Sequence, residues 1–274
     1  MTTFEAVILA VVEGLTEFLP VSSTGHMILT QGILQIENSD FAKTFLINIQ
    51  FGAILAVLVM YFKRFFQTLE FYKSLFIAFI PAAVLGFLLN DFIDSLLESV
   101  PVVAVSLIVG GFVLIWADQK FKNQNTEDQS SKSELPTYPT IKQSLIIGLA
   151  QCVAMIPGVS RSASTIIGGL SQKLTFKKAT EYSFFLAVPT IFAAAAYKTL
   201  KAFKAGNVFT SADEITMLLI GNAIAFVVAI LAIKFFIDTL NKYGLRIWGY
   251  YRIVVGVIIL IAIYVLHLPL EIPS

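Results

Sequence analysis

Cysteine and charge are what this chain has least of. Cys152 is the only cysteine in 274 residues. No disulfide can close within the chain and no cysteine-built metal site is possible. A lone Cys in an apolar run is most simply a small core residue. Asp, Glu, Lys and Arg make up 14% of the residues, where a soluble domain carries about 25%. The formal net charge is +1, with no basic tail or stripe, which excludes the usual footprint of a nucleic-acid partner. The first residues hold no positively charged region and no small-residue cleavage site, so a removable signal peptide is not expected.

Hydrophobic residues are abundant, at 57%, and so much apolar side chain needs a nonpolar solvent. Six apolar runs approach or exceed the length of about 20 helical residues that crosses a bilayer core. They lie near 44–62, 74–90, 100–116, 179–197, 215–237 and 250–268. Each is apolar all round and sprinkled with Gly and Ala, as packed membrane helices are. The expected fold is an all-α polytopic membrane protein with six full transmembrane helices in one membrane domain, 1–274. A polar stretch, 117–140, reads as a loop dividing two halves, 1–116 and 141–268.

Two further regions are apolar but broken. Residues 4–36 run into Glu13, Glu17, Pro20 and the string SSTGH before resuming as MILTQGILQI. Residues 141–174 run into PGVSRSAST and resume as IIGGL. Each arm is shorter than a span, and irregular backbone at membrane depth survives only where protein or a watery cavity surrounds it. Both regions are therefore expected to be re-entrant helical hairpins.

The halves resemble each other. GLTEFLPVSS matches GLAQCVAMIPGVSRS, and AKTFLINIQFGAI (42–54) lines up with ATEYSFFLAVPTI (179–191). DFIDSL (91–96) matches FFIDTL (235–240), and IVGGFVLI (108–115) matches VVGVIILI (254–261). Four matches in order at a nearly steady offset point to an internal duplication. Three full crossings per half make the two copies insert with opposite orientation, as an inverted repeat. The segments 63–73, 117–143, 171–178 and 234–252 hold 14 Lys and Arg, and the opposite side holds 4. The basic side is expected to be cytoplasmic. That makes 117–140 a cytoplasmic linker and puts both termini outside.

Ionisable groups inside membrane segments are costly and point to function. Glu13 and Glu17 stand four apart, so both carboxylates lie on one helical face. Such a pair can hold a divalent cation through oxygen, or relay protons; a solvated helix face is the bland alternative. After Pro20, Ser22, Ser23 and Thr24 stand where a second helix would begin. Such hydroxyls can be simple caps. A helix N-terminus is also an anion site, and a hydroxyl there can attack phosphorus. His26, three residues after Ser23, is placed for a Ser–His hydrogen bond. His267, at the end of the last span, reads as an interfacial residue without a role. In the second hairpin Ser160, Arg161, Ser162 and Thr165 repeat the hydroxyl-rich helix start and add a guanidinium suited to bidentate phosphate contact. Pairing of Arg161 with a glutamate is the structural alternative, and the two are compatible.

EGLTEFLPVSSTGH (13–26) and PGVSRSAST (157–165) resemble the two signature motifs of the undecaprenyl-pyrophosphate phosphatase family, also called the bacitracin-resistance family. The first matches over its full length. In the second, Ala163 stands where the family usually has Gly, with the Ser-Arg-Ser core intact. The likeness in length, span order and hairpin placement covers essentially the whole chain. It implies hydrolysis of a C55 polyprenyl pyrophosphate to its monophosphate in the bacterial cytoplasmic membrane, recycling the lipid carrier for cell-wall synthesis. By the resemblance Glu13, Glu17, Ser23 and His26 are catalytic, and Ser22, Thr24, Ser160, Arg161, Ser162 and Thr165 meet the phosphates. A divalent cation, Mg²⁺ in the first place, would sit on Glu13 and Glu17. The expected partners are the polyprenyl pyrophosphate and membrane lipids, with a homodimer open on the small-residue helices. The rival reading is a lipid-phosphate transporter or flippase built on the same inverted repeat; a carrier needs an anion site but no hydroxyl–His pair. SSTGH also resembles the Ser-Gly-His element of phosphatidic-acid phosphatases, but no later His followed by Asp completes that set.

Overall fold

The computed structural model describes residues 1–97, 99–122, 138–204 and 211–270. Described residues form helices α1 (Thr3–Thr16), α2 (Ser23–Leu34), α3 (Asp40–Met60), α4 (Phe62–Phe65), α5 (Leu69–Leu88), α6 (Asn90–Leu97) and α7 (Val100–Phe121). The second half continues with α8 (Ile141–Cys152), α9 (Arg161–Ser171), α10 (Phe176–Lys204), α11 (Ala212–Tyr243) and α12 (Arg246–Tyr264). Among the described residues α3, α5, α7, α10, α11 and α12 are long and apolar enough to cross a membrane. Their outward faces carry exposed apolar side chains such as Phe76, Phe87, Val109, Phe112, Leu219, Leu231 and Ile258, as lipid-facing helices do.

The helices run past the apolar windows that announce them. Helix α7 ends at Phe121, five residues into the stretch expected as a loop; the rest of that loop, 123–137, lies outside the described residues. The last helix is set four residues earlier than its apolar window, at Arg246–Tyr264. Segments 90–99 and 198–213, expected as connections, contribute α6 and the end of α10. Hydropathy marks the lipid-facing length, whereas hydrogen bonding and caps set where a helix stops.

The two broken regions are helix–turn–helix pairs, α1 with α2 and α8 with α9. Both begin with the same device: Thr2 caps α1 in a capping box with Glu5, and Thr140 caps α8 in one with Gln143. The two halves also exchange partners. Helix α1 lies against α11 of the second half, and α8 lies against α5 of the first. Close approach at both contacts needs a glycine. A Cβ on Gly14 would come within 2.8 Å of the Ala225 carbonyl oxygen, and one on Gly148 would collide with that of Ala78. The largest apolar core joins Phe18, Val57, Leu114, Ile166, Phe184, Ile233 and Phe236. It draws on the first hairpin turn, on α9 and on five of the long helices, α3, α7, α10, α11 and α12, so burial of this core holds the first turn and α9 against the bundle.

The candidate catalytic site at the two hairpin turns

Each turn delivers its chain to a helix start in the same unusual way. Ser22, the N-cap of α2, has φ 73° and ψ 93°, and its hydroxyl accepts from the Gly25 N–H. Ser160, the N-cap of α9, has φ 79° and ψ 118°, and its hydroxyl accepts from the Ala163 N–H. A non-glycine residue held there costs on the order of 1–3 kcal/mol. Its occurrence at both turns points to geometry kept for function. The turns touch: a Cβ on Gly25 would lie 3.5 Å from the Gly158 Cα. The Ser162 hydroxyl crosses between them, donating to the Leu19 carbonyl at 2.8 Å.

A chain of charge-assisted bonds joins the hairpins at this place. Ser23 Oγ donates to Glu17 Oε2 at 2.5 Å, and Arg161 Nη2 donates to Glu17 Oε1 at 2.8 Å. Arg161 Nη1 donates to the Ser183 carbonyl at 3.0 Å, and Ser183 Oγ meets Thr165 Oγ1 at 2.7 Å. The Phe18 ring closes one side, with the Arg161 guanidinium carbon over it, 5.9 Å from the ring centre. The Nε–H of Arg161 is buried and has no partner. Both carboxylate oxygens of Glu13 are likewise buried without a donor, one helical turn before Glu17. The spare N–H of the planar donor suits an oxyanion, and the unpartnered carboxylate oxygens of Glu13 suit a cation.

The expected Ser23–His26 hydrogen bond is replaced by another pairing. The Ser23 hydroxyl goes to Glu17. His26 Nδ1 lies 2.8 Å from the Ser22 carbonyl oxygen, and Nε2 lies 2.8 Å from the Tyr251 hydroxyl. A carbonyl only accepts, so Nδ1 carries the proton; in the neutral ring Nε2 then accepts from Tyr251. The Tyr251 and His26 rings stack at 5.7 Å. Thr24 is half-buried in the first turn of α2. Ser160 and Ser162 are buried, with their hydroxyls 3.1 Å apart. His267 is exposed outside this cluster.

Glu13 and Glu17 are the carboxylates available for a cation. Among the described residues no group of three or more His, Cys, Asp or Glu comes together. Two carboxylates are too few for an all-protein calcium cage. They suit magnesium, which takes its remaining ligands from phosphate and water.

Three residues of the neighbourhood were not picked out from sequence: Ser183, Tyr251 and Arg252. Ser183 had only a weak signal, a polar residue in the apolar run of α10. Arg252 had a strong one, a cation inside the last apolar window. It was counted instead among the basic residues of 234–252. Its side chain is fully buried and reaches both turns, so it marks no membrane side and thirteen basic residues remain in that count.

The family model described as bacitracin resistance protein BacA matches residues 6–258. A protein of Flavobacterium johnsoniae named undecaprenyl-diphosphatase is 54% identical over 267 residues, which cover 97% of this chain and 98% of that one. Proteins of the same name from Bdellovibrio bacteriovorus and Aquifex aeolicus are 51% and 45% identical, over 97% and 94% of this chain and 98% and 97% of their own lengths.

Proposed function

The chain belongs to the bacitracin resistance protein BacA family, and we propose that its paired hairpin turns form the site where it hydrolyses undecaprenyl pyrophosphate to undecaprenyl phosphate and inorganic phosphate. It is a multi-pass membrane enzyme, an undecaprenyl-diphosphatase. The observation that carries the placement of the site is the Ser23–Glu17–Arg161 chain, with the Arg161 Nε–H left over beside it. A hydroxyl, its proton acceptor and an unspent guanidinium donor are then contiguous, and a phosphoryl group between them meets all three.

In this reading Arg161 and the N–H groups at the starts of α2 and α9 hold the pyrophosphate oxygens. Ser23 Oγ attacks the terminal phosphorus as its proton passes to Glu17 Oε2. The new Oγ–P bond forms while the bond from that phosphorus to the bridging oxygen breaks. The bridging oxygen leaves as part of the lipid monophosphate. Water then attacks the phosphoserine, giving its proton to His26 Nε2 once Tyr251 gives way; the Oγ–P bond breaks, inorganic phosphate leaves, and Ser23 Oγ takes back the proton held by Glu17. Glu13 and Glu17 are the residues that would hold a divalent cation; bound there, it would lower the repulsion between the phosphate charge and the attacking oxygen. In this reading, too, the hairpins are re-entrant, the halves form an inverted repeat, and the basic side faces the cytoplasm of a bacterium with both termini outside. The matched capping boxes, the matched strained serines and the exchanged helix partners support the repeat.

The test is release of inorganic phosphate by the purified protein supplied with a long-chain polyprenyl pyrophosphate in detergent. Release with turnover is the expected result. Binding or translocation of the lipid with no release would overturn the placement of an active site here and favour a carrier.

A further inference from the structure

Arg252 is a cation with no exposed surface, in the second turn of α12. Every hydrogen-bond partner found for it is a backbone carbonyl. Nη1 donates to Pro20 O at 3.2 Å and Val159 O at 2.8 Å. Nη2 donates to Gly158 O at 2.6 Å and Ser106 O at 3.1 Å, and Nε to Leu107 O at 3.4 Å. Among the described residues no carboxylate pairs with it. A buried charge left to neutral dipoles is costly, so these five carbonyls mark an arrangement kept for a purpose.

The identity of the acceptors supplies that purpose. Pro20 stands two residues before Ser22, and Gly158 and Val159 stand immediately before Ser160. One guanidinium therefore grips both hairpin turns at the points where their helices begin, with its other edge anchored on α7. In a trans peptide the N–H lies opposite the carbonyl. Seating the Val159 carbonyl on Arg252 turns the Ser160 N–H the other way. The strained conformations of Ser22 and Ser160 need such outside restraint, because a free turn relaxes out of them.

We infer that Arg252 is a positioning residue: it clamps the two turns to each other and so sets the helix starts of α2 and α9 at the spacing the pyrophosphate requires. This rests on the reading of the turns as the phosphate site. Lysine cannot replace it, since a single ammonium offers three donors from one point and no planar fork. The clamp has a built-in second probe. A Cβ on Gly110 of α7 would fall on the Arg252 guanidinium, so Gly110→Ala displaces the clamp and leaves its charge unchanged.

The experiment compares purified full-length wild type with Arg252→Lys, Arg252→Met and Gly110→Ala in detergent. It measures amide hydrogen exchange along the chain together with kcat and KM for phosphate release. Exchange is expected to quicken in segments 18–25 and 156–163 together, while α3 and α11, which hold none of the Arg252 hydrogen-bond acceptors, keep their protection. kcat is expected to fall by about tenfold or more, as misplaced binding groups cost turnover. Quickening in one turn alone, or equally through α3 and α11, would overturn the clamp. If Arg252→Met fails to fold, Arg252→Lys and Gly110→Ala decide the matter. Loosened turns with unchanged kcat would also overturn the inference. Phosphate release by wild type and its sensitivity at Arg161 would stand in that case, so the two readings fail separately.

Discussion

The hydroxyl of Ser23 and the carboxylate of Glu17 share a 2.5 Å hydrogen bond across the break between α1 and α2. Six residues separate them, and the turn at Pro20 folds the first helical arm back so that the end of one helix meets the start of the next. The hydrogen-bond acceptor for Ser23 is therefore a carboxylate that also accepts from Arg161, and the imidazole of His26 is bonded instead to the Ser22 carbonyl and the Tyr251 hydroxyl.

Ser23→Ala tests the covalent route directly. It removes the attacking oxygen and keeps the backbone donors of α2. Lipid pyrophosphate is expected to bind while phosphate release falls by a factor of roughly a thousand or more, the scale of a lost nucleophile. Retention of about a tenth of the activity would be only about 1.4 kcal/mol, the size of one hydrogen bond, and would reassign Ser23 to orienting the substrate.

Arg161→Lys keeps the charge and loses the fork. The bonds to Glu17 and Ser183 cannot both be kept by one ammonium that must also meet a phosphate. Each charge-assisted bond is worth about 1.5–3 kcal/mol, so activity is expected to drop by roughly ten- to a hundredfold in a protein that still folds. Steady-state turnover near the wild-type value would remove Arg161 from phosphate binding.

Tyr251→Phe removes one neutral hydrogen bond to His26 Nε2 and leaves the ring stack. The expected change in turnover is small, about two- to tenfold in either direction. His26→Ala is expected to be far worse and to accumulate phosphoserine at position 23, detectable by mass spectrometry. Equal defects in the two variants would mean that the tyrosine, and not the imidazole, carries the function.

The spare oxygens of Glu13 lead to a prediction about cations. Chelation is expected to abolish phosphate release and Mg²⁺ to restore it, with Glu13→Gln shifting the restoring concentration upward. Undiminished release in excess chelator would leave Glu13 and Glu17 as proton carriers alone.

Orientation is checked by cysteine labelling in intact cells. Single cysteines placed within 63–73 are expected to be shielded from an impermeant thiol reagent, and one at the C-terminus is expected to react. Labelling of 63–73 from outside would invert the topology, although the basic count on that side is still thirteen once Arg252 is set aside.

The membrane class, the six long helices and the two interrupted hairpins were all legible in the order of the residues, because they depend on local composition. Lipid demands long apolar runs, and a charge, a proline and a string of hydroxyls inside such a run interrupt it. The pairing of Glu13 with Glu17 follows from helical periodicity, and the two motifs pointed to a phosphate. What joins to what was decided only by the tertiary structure. That Ser23 bonds Glu17 and not His26, that Tyr251 takes His26 Nε2, and that Arg252 holds Pro20, Gly158 and Val159 are contacts across 6, 225 and 93 or more residues. No local periodicity encodes them. They follow from the packing of α7 against α12, and of both hairpins against the bundle, which bring backbone carbonyls within reach of a side chain that sequence alone places at the edge of a span.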